Sequence, residues 1–337
     1  MASSQHVDVG ADDFMRVAEP YRAELLAHCY RMLGSVHDAE DLVQETYVRA
    51  WRAYARFEGR SSLRRWLYRI ATTACLRALE QRGRRPLPAG LGAPSEDPDQ
   101  ELTADPEATW LRPIPDALLE QSSADPAAVA VSRESVRLAF VAALQHLPAR
   151  QRAVLILRDV LRWRSAEVAE LLETSTAAVN SALQRARGQL ADSGRDEDLL
   201  VEPDDPRRRE LLDGFVAAFE TADVARLVRL LREDAVLEMP PHSTWFTGRE
   251  HICHFLRPRL GEPGDIRLLA TGANGQPAYG IYRRQPAGGY RGYAVLVLTP
   301  TASGISRMSV FLEPDLVPAF GLPVEIEPSS PSVGEGV

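Results

Sequence analysis

The stretch SAEVAELLETSTAAVNSALQRAR, residues 165–187, contains two amphipathic segments separated by a polar break. Val168, Leu171 and Leu172 recur at helical spacing and give the first segment one apolar face. Glu173-Thr174-Ser175 interrupts it, and the hydroxyl of Ser175 is placed to accept from the unpaired amides that open the next helix. In the second segment Val179, Leu183 and Ala186 share one side. Thr176, Ala177, Asn180, Ser181 and Gln184 point the other way, with Arg185 and Arg187 near the end. An ordinary helical hairpin needs only the apolar stripes. Entry into the major groove of DNA needs what the outer face adds: small residues for close approach, amides to read base edges, and arginines for phosphates.

Outward from this motif the chain changes character several times. Its 337 residues suggest two or three domains, and 45% apolar residues suffice for sizeable cores. No apolar run approaches the ~18 residues of a membrane span, and MASSQHVDVGADDF has no signal-peptide pattern, so neither membrane insertion nor secretion is expected. Three scattered cysteines, Cys29, Cys75 and Cys253, form no metal-binding or disulfide spacing and fit a reducing, cytoplasmic setting. The net charge of −8 hides an asymmetry. Residues 49–85 hold eleven arginines against two acids, whereas 91–130 hold nine acids against one arginine. Screening confines each charge to about 8–10 Å, so an acidic protein with one basic block can still bind a polyanion.

Residues 13–85 read as helices. Residues 86–127 contain eight prolines and many acids and read as a linker without a core. Helical periodicity returns at 129–147, with Val136, Phe140, Ala143, Leu144 and Leu147 on one face, and continues to about Leu190. After a second hinge come two helical stretches, about 209–220 and 223–232, and then strand-like runs punctuated by Asn274-Gly275 and Gly288-Gly289. That last part is α+β.

The first helical block carries two patterned faces. In HDAEDLVQET, Asp38, Asp41 and Glu45 fall on one stripe near a helix start, where acids meet the positive end of the helix dipole. In SSLRRWLYRIATTACLRAL, Arg65, Arg69, Thr72, Thr73 and Leu76 occupy adjoining positions, with Trp66, Tyr68 and Phe57 nearby. Arginines beside rings suit a single strand, because the cations track phosphates while bases stack at ~1–3 kcal/mol each. Core burial is the competing reading for each ring.

Taken together these segments resemble the bacterial sigma-70 family of RNA polymerase initiation factors, extracytoplasmic-function (ECF) type. YRAELLAHCYRMLGSVHDAEDLVQETYVRAW is similar to the family's polymerase-clamp-binding region, RFEGRSSLRRWLYRIATTACL to its promoter-melting region, and LPARQRAVLILRDVLRWRSAEVAELLETSTAAVNSALQRARGQL to its promoter-recognition domain. One departure is Glu173, where the family usually has glycine in the turn. TWLRPIPDALL and the trailing α+β part resemble the subgroup with a fused SnoaL-like domain, the SigG and SigJ types. The implied fold is two all-α sigma domains, the second with the helix-turn-helix, plus an NTF2-like cone. The expected order is sigma domain 2 over 13–86, an acidic Pro-rich linker over 87–128, sigma domain 4 over 129–192, a hinge over 193–206, the SnoaL-like domain over 207–322 and a tail over 323–337.

The resemblance implies partners rather than catalysis. Asp38, Asp41, Gln44 and Glu45 are expected to meet core RNA polymerase. Arg64, Arg65, Trp66, Arg69, Thr72 and Arg77 are expected on promoter DNA near the melted strand. Thr176, Ala177, Asn180, Ser181, Gln184, Arg185 and Arg187 are expected in the groove upstream. No cofactor and no metal are implied. In the linker, Trp110, Leu111, Pro113, Pro115 and Asp116 form a string suited to docking, and the C-terminal domain is expected to regulate in cis through it or through the sigma domains. The alternative makes that domain a small-ligand sensor or enzyme fused to a DNA-binding regulator. His242, His251, His254, Asp234, Glu238, Trp245 and Tyr279 are the residues that would line its cavity, though no pair among them has a spacing that demands catalysis.

Overall fold

The computed structural model describes residues 8–327, apart from 58, 60, 82, 106, 120–133 and 192–204. The expected tail beyond 327, most of the expected hinge and the end of the expected linker lie outside the described residues. The chain forms two compact units. One comprises the described residues up to Pro86 and those from Leu111 to 191; the other comprises Leu87–Trp110 and the described residues from 205 onward.

The first unit is helical. Its opening block contains α1 (Asp8–Ala18), α2 (Arg22–Leu33), α3 (Val36–Tyr54) and α4 (Leu63–Glu80). Serines start the two long helices: Ser35 accepts from the amide of Asp38, and Ser62 from that of Arg65. Gly34 ends α2 with φ 69°, and a Cβ there would come within 2.7 Å of the Leu111 side chain. Leu25, Cys29, Tyr30, Leu67, Tyr68, Ala71 and Cys75 close the core between α2 and α4.

The second block contains α5 (Leu138–Gln145), α6 (Ala149–Leu155), a π-helical turn over Ile156–Val160, α7 (Ser165–Leu171) and α8 (Thr176–Ala191). The face of α5 matches the expected one in part. Of the expected residues Val136, Leu144 and Leu147 are buried, while Phe140 and Ala143 are only half-buried and Leu138 and Val141 are buried in addition; the expected helical start at 129–133 lies outside the described residues. Arg152 ties the two blocks together. Its guanidinium donates to the Met32 carbonyl, to Gln145 Oε1 at 2.7 Å and to the Gln145 carbonyl at 3.1 Å. Burial lowers its pKa to about 10, which leaves it charged near neutrality. Arg31 adds bonds to Ser135, 3.0 Å to the carbonyl and 2.7 Å to the hydroxyl.

The second unit is α+β. Helices α9 (Pro206–Glu220), α10 (Val224–Leu230) and α11 (Arg249–Leu260) pack on a seven-stranded sheet. The strands are β1 (Leu231–Glu238), β2 (Trp245–Thr247), β3 (Ile266–Ala273), β4 (Gln276–Arg284), β5 (Tyr290–Thr301), β6 (Gly304–Phe311) and β7 (Glu325–Ile326). Their order is β2-β1-β6-β5-β4-β3, with β7 on β5; only β1 and β6 run parallel. Asn274 and Gly275 both have positive φ, 58° and 69°, the geometry of a tight hairpin turn whose twist matches its strands. Phe215, Phe219 and Leu227 from the helices meet Leu237, Leu296, Leu298 and Met308 from the sheet, so side chains fill the space beneath the strands. A short helix, α12 (Leu316–Ala319), follows β6.

The stretch read as one linker divides at the Trp110–Leu111 bond. Residues 87–110 lie along the β1–β2 end of the sheet: Ser95 donates its amide to the Trp245 carbonyl at 2.8 Å, and Trp245 Nε1 donates to Gly92 at 3.1 Å. Gln100 donates to Thr244 at 3.0 Å, and Ala104 bridges to His242. Apart from a 3-10 turn at Pro88–Gly90, the proline-rich segment satisfies its backbone this way without an α-helix or ladder of its own.

Candidate nucleic-acid and polymerase interface

On α3 the acidic stripe is not uniform. Asp41 and Gln44 are exposed, and Glu45 is half-exposed beside Arg49 at 2.5 Å. Asp38 is a correction to the expectation of an open face: its side chain is 12% exposed and bonded to Arg85. A guanidinium 47 residues away supplies that pairing, so no local pattern announces it.

On α4 the basic residues differ in the same way. Arg64 grips Glu24 with two nitrogens, at 2.7 to 2.9 Å, and lies over the Tyr68 ring. Arg65 and Arg69 are exposed and reach Glu167 and Glu170 of α7. Arg77 is exposed. Trp66 is half-buried and stacks on Phe57, with ring centroids 4.8 Å apart, so one of its faces is already covered. Thr72 is a second correction: it is fully buried and shares a 2.9 Å hydrogen bond with His28. It belongs to the α2–α4 core, because one helical face that carries Arg65 and Arg69 turns inward by Thr72. Burial and nearby Arg31 lower the His28 pKa to about 3, so that ring is neutral.

In the helix-turn-helix, Thr176, Ala177, Asn180, Ser181, Gln184, Arg185 and Arg187 are all exposed on α8, while Val179, Leu183 and Ala186 are buried. Ser175 accepts from the Ala178 amide at 3.1 Å, which caps the helix. Glu173 takes φ 52°, the left-handed conformation that glycine adopts without a Cβ clash, and its chain still reverses between α7 and α8. Two outer-face groups have partners. Ser165 hydrogen-bonds Asn180 at 2.8 Å, and Arg187 forms a fork with Asp159, at 2.6 and 2.8 Å.

In the linker string Leu111, Pro113, Ile114 and Pro115 are buried, and Asp116 opens a 3-10 turn. Arg112 donates its amide to Gly34 at 3.1 Å and accepts from the Tyr30 hydroxyl at 2.8 Å. Trp110, 6% exposed, falls in the second unit, and its Nε1 has no hydrogen-bond partner.

The residues expected to line a cavity in the C-terminal unit do not converge. His251 and His254 are exposed, with His254 at 3.1 Å from Asp99, and Asp234 pairs with Arg232 at 2.6 Å on the surface. Tyr279 is buried in the core. Glu238 is buried, accepting from Ser309 at 2.7 Å and Arg307 at 3.1 Å. Two adjoining grooves, about 400 and 330 Å³, share Glu210, Gly214 and Arg226, and none of the expected cavity residues lines either. Among the described residues no group of three or more His, Cys, Asp or Glu is placed to hold a metal ion, and no helix is long and apolar enough to cross a membrane.

The exposed outer face of α8, the basic α4 and the acid-edged α3 lie in one unit, and that unit carries the matches that place the chain in the sigma-70 class of transcription initiation factors. Residues 17–85 match Sigma-70 region 2 and residues 137–190 match Sigma-70, region 4. The chain belongs to the ECF RNA polymerase sigma factors. It is 54% identical over 315 residues to ECF RNA polymerase sigma factor SigG of Mycobacterium tuberculosis, spanning 92% of this chain and 84% of that one. It is 31% identical to SigJ of the same organism over 64% of this chain and 61% of that one. The crystal structure of M. tuberculosis SigJ superposes with a TM-score of 0.58 at 23% identity, over 92% of this chain and 99% of that one, so the sigma domains and the α+β domain share its fold. As a sigma factor the chain acts on core RNA polymerase and promoter DNA, and its α+β unit has the sheet-over-helices form expected of an NTF2-like, SnoaL-like domain.

Proposed function

We propose that Asp41, Gln44 and Glu45 form the polymerase-binding stripe, with Asp38 holding the helix through Arg85 rather than touching the partner. Arg65, Arg69 and Arg77 take promoter phosphates near the melted strand, and Trp66 offers its remaining face to a base. On α8, Asn180, Gln184 and Ser181 read base edges, Thr176 and Ala177 permit close approach, and Arg185 and Arg187 hold the backbone. The domain ranges follow as sigma domain 2 to residue 86 and sigma domain 4 from 129 to 192. No residue is assigned a catalytic role.

We further propose that the C-terminal domain regulates initiation in cis. The observation that carries this is the division of the linker: Leu87–Trp110 belongs to the C-terminal unit, while Leu111 and Ile114 are fully buried in the sigma unit. A change in how the C-terminal domain holds 87–110 would pass along the chain through the Trp110–Leu111 bond to Leu111, which sits against Gly34 at the α2–α3 turn. A small molecule in the groove around Gly214 would act through that route. The test is promoter-dependent transcription with core polymerase, comparing the full chain with Trp110→Ala and with a chain ending at Gly194. Altered transcript yield from both supports regulation in cis; yields equal to the full chain's refute it.

A further inference from the structure

The two amide side chains on the outer face of α8 are not in the same state. Asn180 and Gln184 lie one helical turn apart, and both are exposed. Gln184 has no hydrogen-bond partner among the described residues, whereas Asn180 Oδ1 accepts from the Ser165 hydroxyl at 2.8 Å. Both ends of that bond stand on fixed backbone. Ser165 is half-buried at the start of α7, and the amide just before it, that of Arg164, donates to the Glu167 carboxylate at 2.8 Å. Asn180 stands in the second turn of α8, behind the Ser175 cap and next to buried Val179. Val168 and Leu171 of α7 and Leu183 of α8 are buried as well, so the bond joins two packed helices and not two loose side chains.

We infer that Ser165 is a positioning residue for promoter reading: by holding the Asn180 oxygen it makes Asn180 a reader of keto bases, guanine or thymine, in place of the adenine that a free asparagine takes. This rests on the reading of Asn180 as a base contact. A carboxamide carries an acceptor oxygen and a donor nitrogen side by side. Free in the major groove, it pairs with adenine through both, accepting from N6 and donating to N7. With the oxygen turned to α7, the group left for the groove is the NH2, which donates and does not accept. Guanine presents N7 and O6 there and thymine presents O4, all acceptors. Cytosine presents the N4 donor, and adenine sets its N6 donor beside N7. A donor-only side chain therefore meets keto bases and is opposed by amino ones. Holding the side chain in advance also removes part of the ordering cost of binding. The free amide of Gln184 keeps both choices, so two positions one turn apart on α8 follow different rules.

The test uses core polymerase with the full chain on a pool of promoters randomised upstream, and sequences the templates that are transcribed. Asn180→Ala marks the position Asn180 reads by levelling the preference there, and Gln184→Ala marks its own. In the native chain the Asn180 position should hold guanine or thymine. Ser165→Ala should move the ratio of keto bases to adenine at that position by about 2- to 10-fold toward adenine, the effect of one neutral hydrogen bond. The Gln184 position should not move. Ser165→Thr keeps the hydroxyl and should keep the native preference, and Ser165→Ala should add nothing to Asn180→Ala. If Ser165→Ala leaves the Asn180 position unchanged, or weakens every upstream position alike as a loosened α7 would, the inference falls while the base reading stands. Adenine at that position in the native chain overturns it too. If Asn180→Ala changes no position, the base reading itself fails and takes the inference with it.

Discussion

Leu111→Ala is the sharpest perturbation of the linker anchorage. Leu111 is fully buried, and its Cδ1 lies close enough to Gly34 to exclude a Cβ there. Truncating a buried leucine costs about 2–5 kcal/mol, since transfer and cavity terms add. The segment is also tied by its backbone: the Leu111 amide donates to Pro86 at 3.1 Å, the Arg112 amide to Gly34 at 3.1 Å, and Tyr30 to the Arg112 carbonyl at 2.8 Å. The loss therefore appears as local undocking of the string, not as unfolding of the helices, which keep their own core. At 1.4 kcal/mol per tenfold, even the lower figure raises the open population by about 30-fold. Hydrogen exchange of the full chain reads this directly at the Leu111 and Arg112 amides. Their protection should fall by about 30-fold or more, while amides in the middle of α2 and α4 stay protected. Unchanged protection at 111 and 112 would show that the leucine does not anchor the string; equal loss across α2 and α4 would show that it is an ordinary core residue of the whole unit.

Asp41→Arg with Glu45→Arg should abolish capture by core polymerase with helical content unchanged in circular dichroism, since exposed carboxylates contribute little to folding. Arg65→Gln with Arg69→Gln should lower promoter affinity evenly across sequences and reduce the salt slope by about 0.7–0.9 per lost phosphate contact. Asn180→Ala or Gln184→Ala should change base preference at one upstream position by about 1–3 kcal/mol in a binding-site selection. Thr72→Val should leave DNA affinity unchanged yet destabilise the sigma unit by about 1–3 kcal/mol, because the buried His28 nitrogen loses its partner. His28 itself sets a pH dependence. Its folded pKa, about 3, lies below the unfolded value of 6.5, so the unfolded chain takes up the proton first. Stability from this ring is intact above pH 6.5 and falls by up to about 1.4 kcal/mol per unit toward pH 3. Urea midpoints at pH 7 and pH 5 should diverge in the native chain and less so in His28→Gln.

Features that a few neighbouring residues determine were legible in the sequence. The helix-turn-helix followed from two apolar stripes and the Ser175 cap, and the Asn274-Gly275 hairpin from its turn residues. Glu173 stands where the resembled family usually has glycine, and with φ 52° it takes the left-handed conformation a glycine there would adopt. What was not legible depends on partners remote in the chain. Asp38 looked open until Arg85 folded onto it, Thr72 sat in a polar-looking helix face until His28 met it, and Arg65 looked free until Glu167 arrived from 102 residues away. The linker misled for a different reason. Proline and acid content points away from a core of its own, but carries no information about whether an extended segment lies on a neighbouring sheet, as Ser95 does on Trp245, or lends residues such as Leu111 and Ile114 to a neighbouring core.

The central claim is that this chain directs initiation through an acid-edged α3 and an exposed α8. The most direct measurement is transcription in vitro from a pool of genomic fragments by bacterial core RNA polymerase, with and without the full chain. Discrete new transcripts should appear with the native protein, disappear with Asp41→Arg and Glu45→Arg, and shift to other fragments with Asn180→Ala. A transcript pattern identical to that of core polymerase alone would contradict the account.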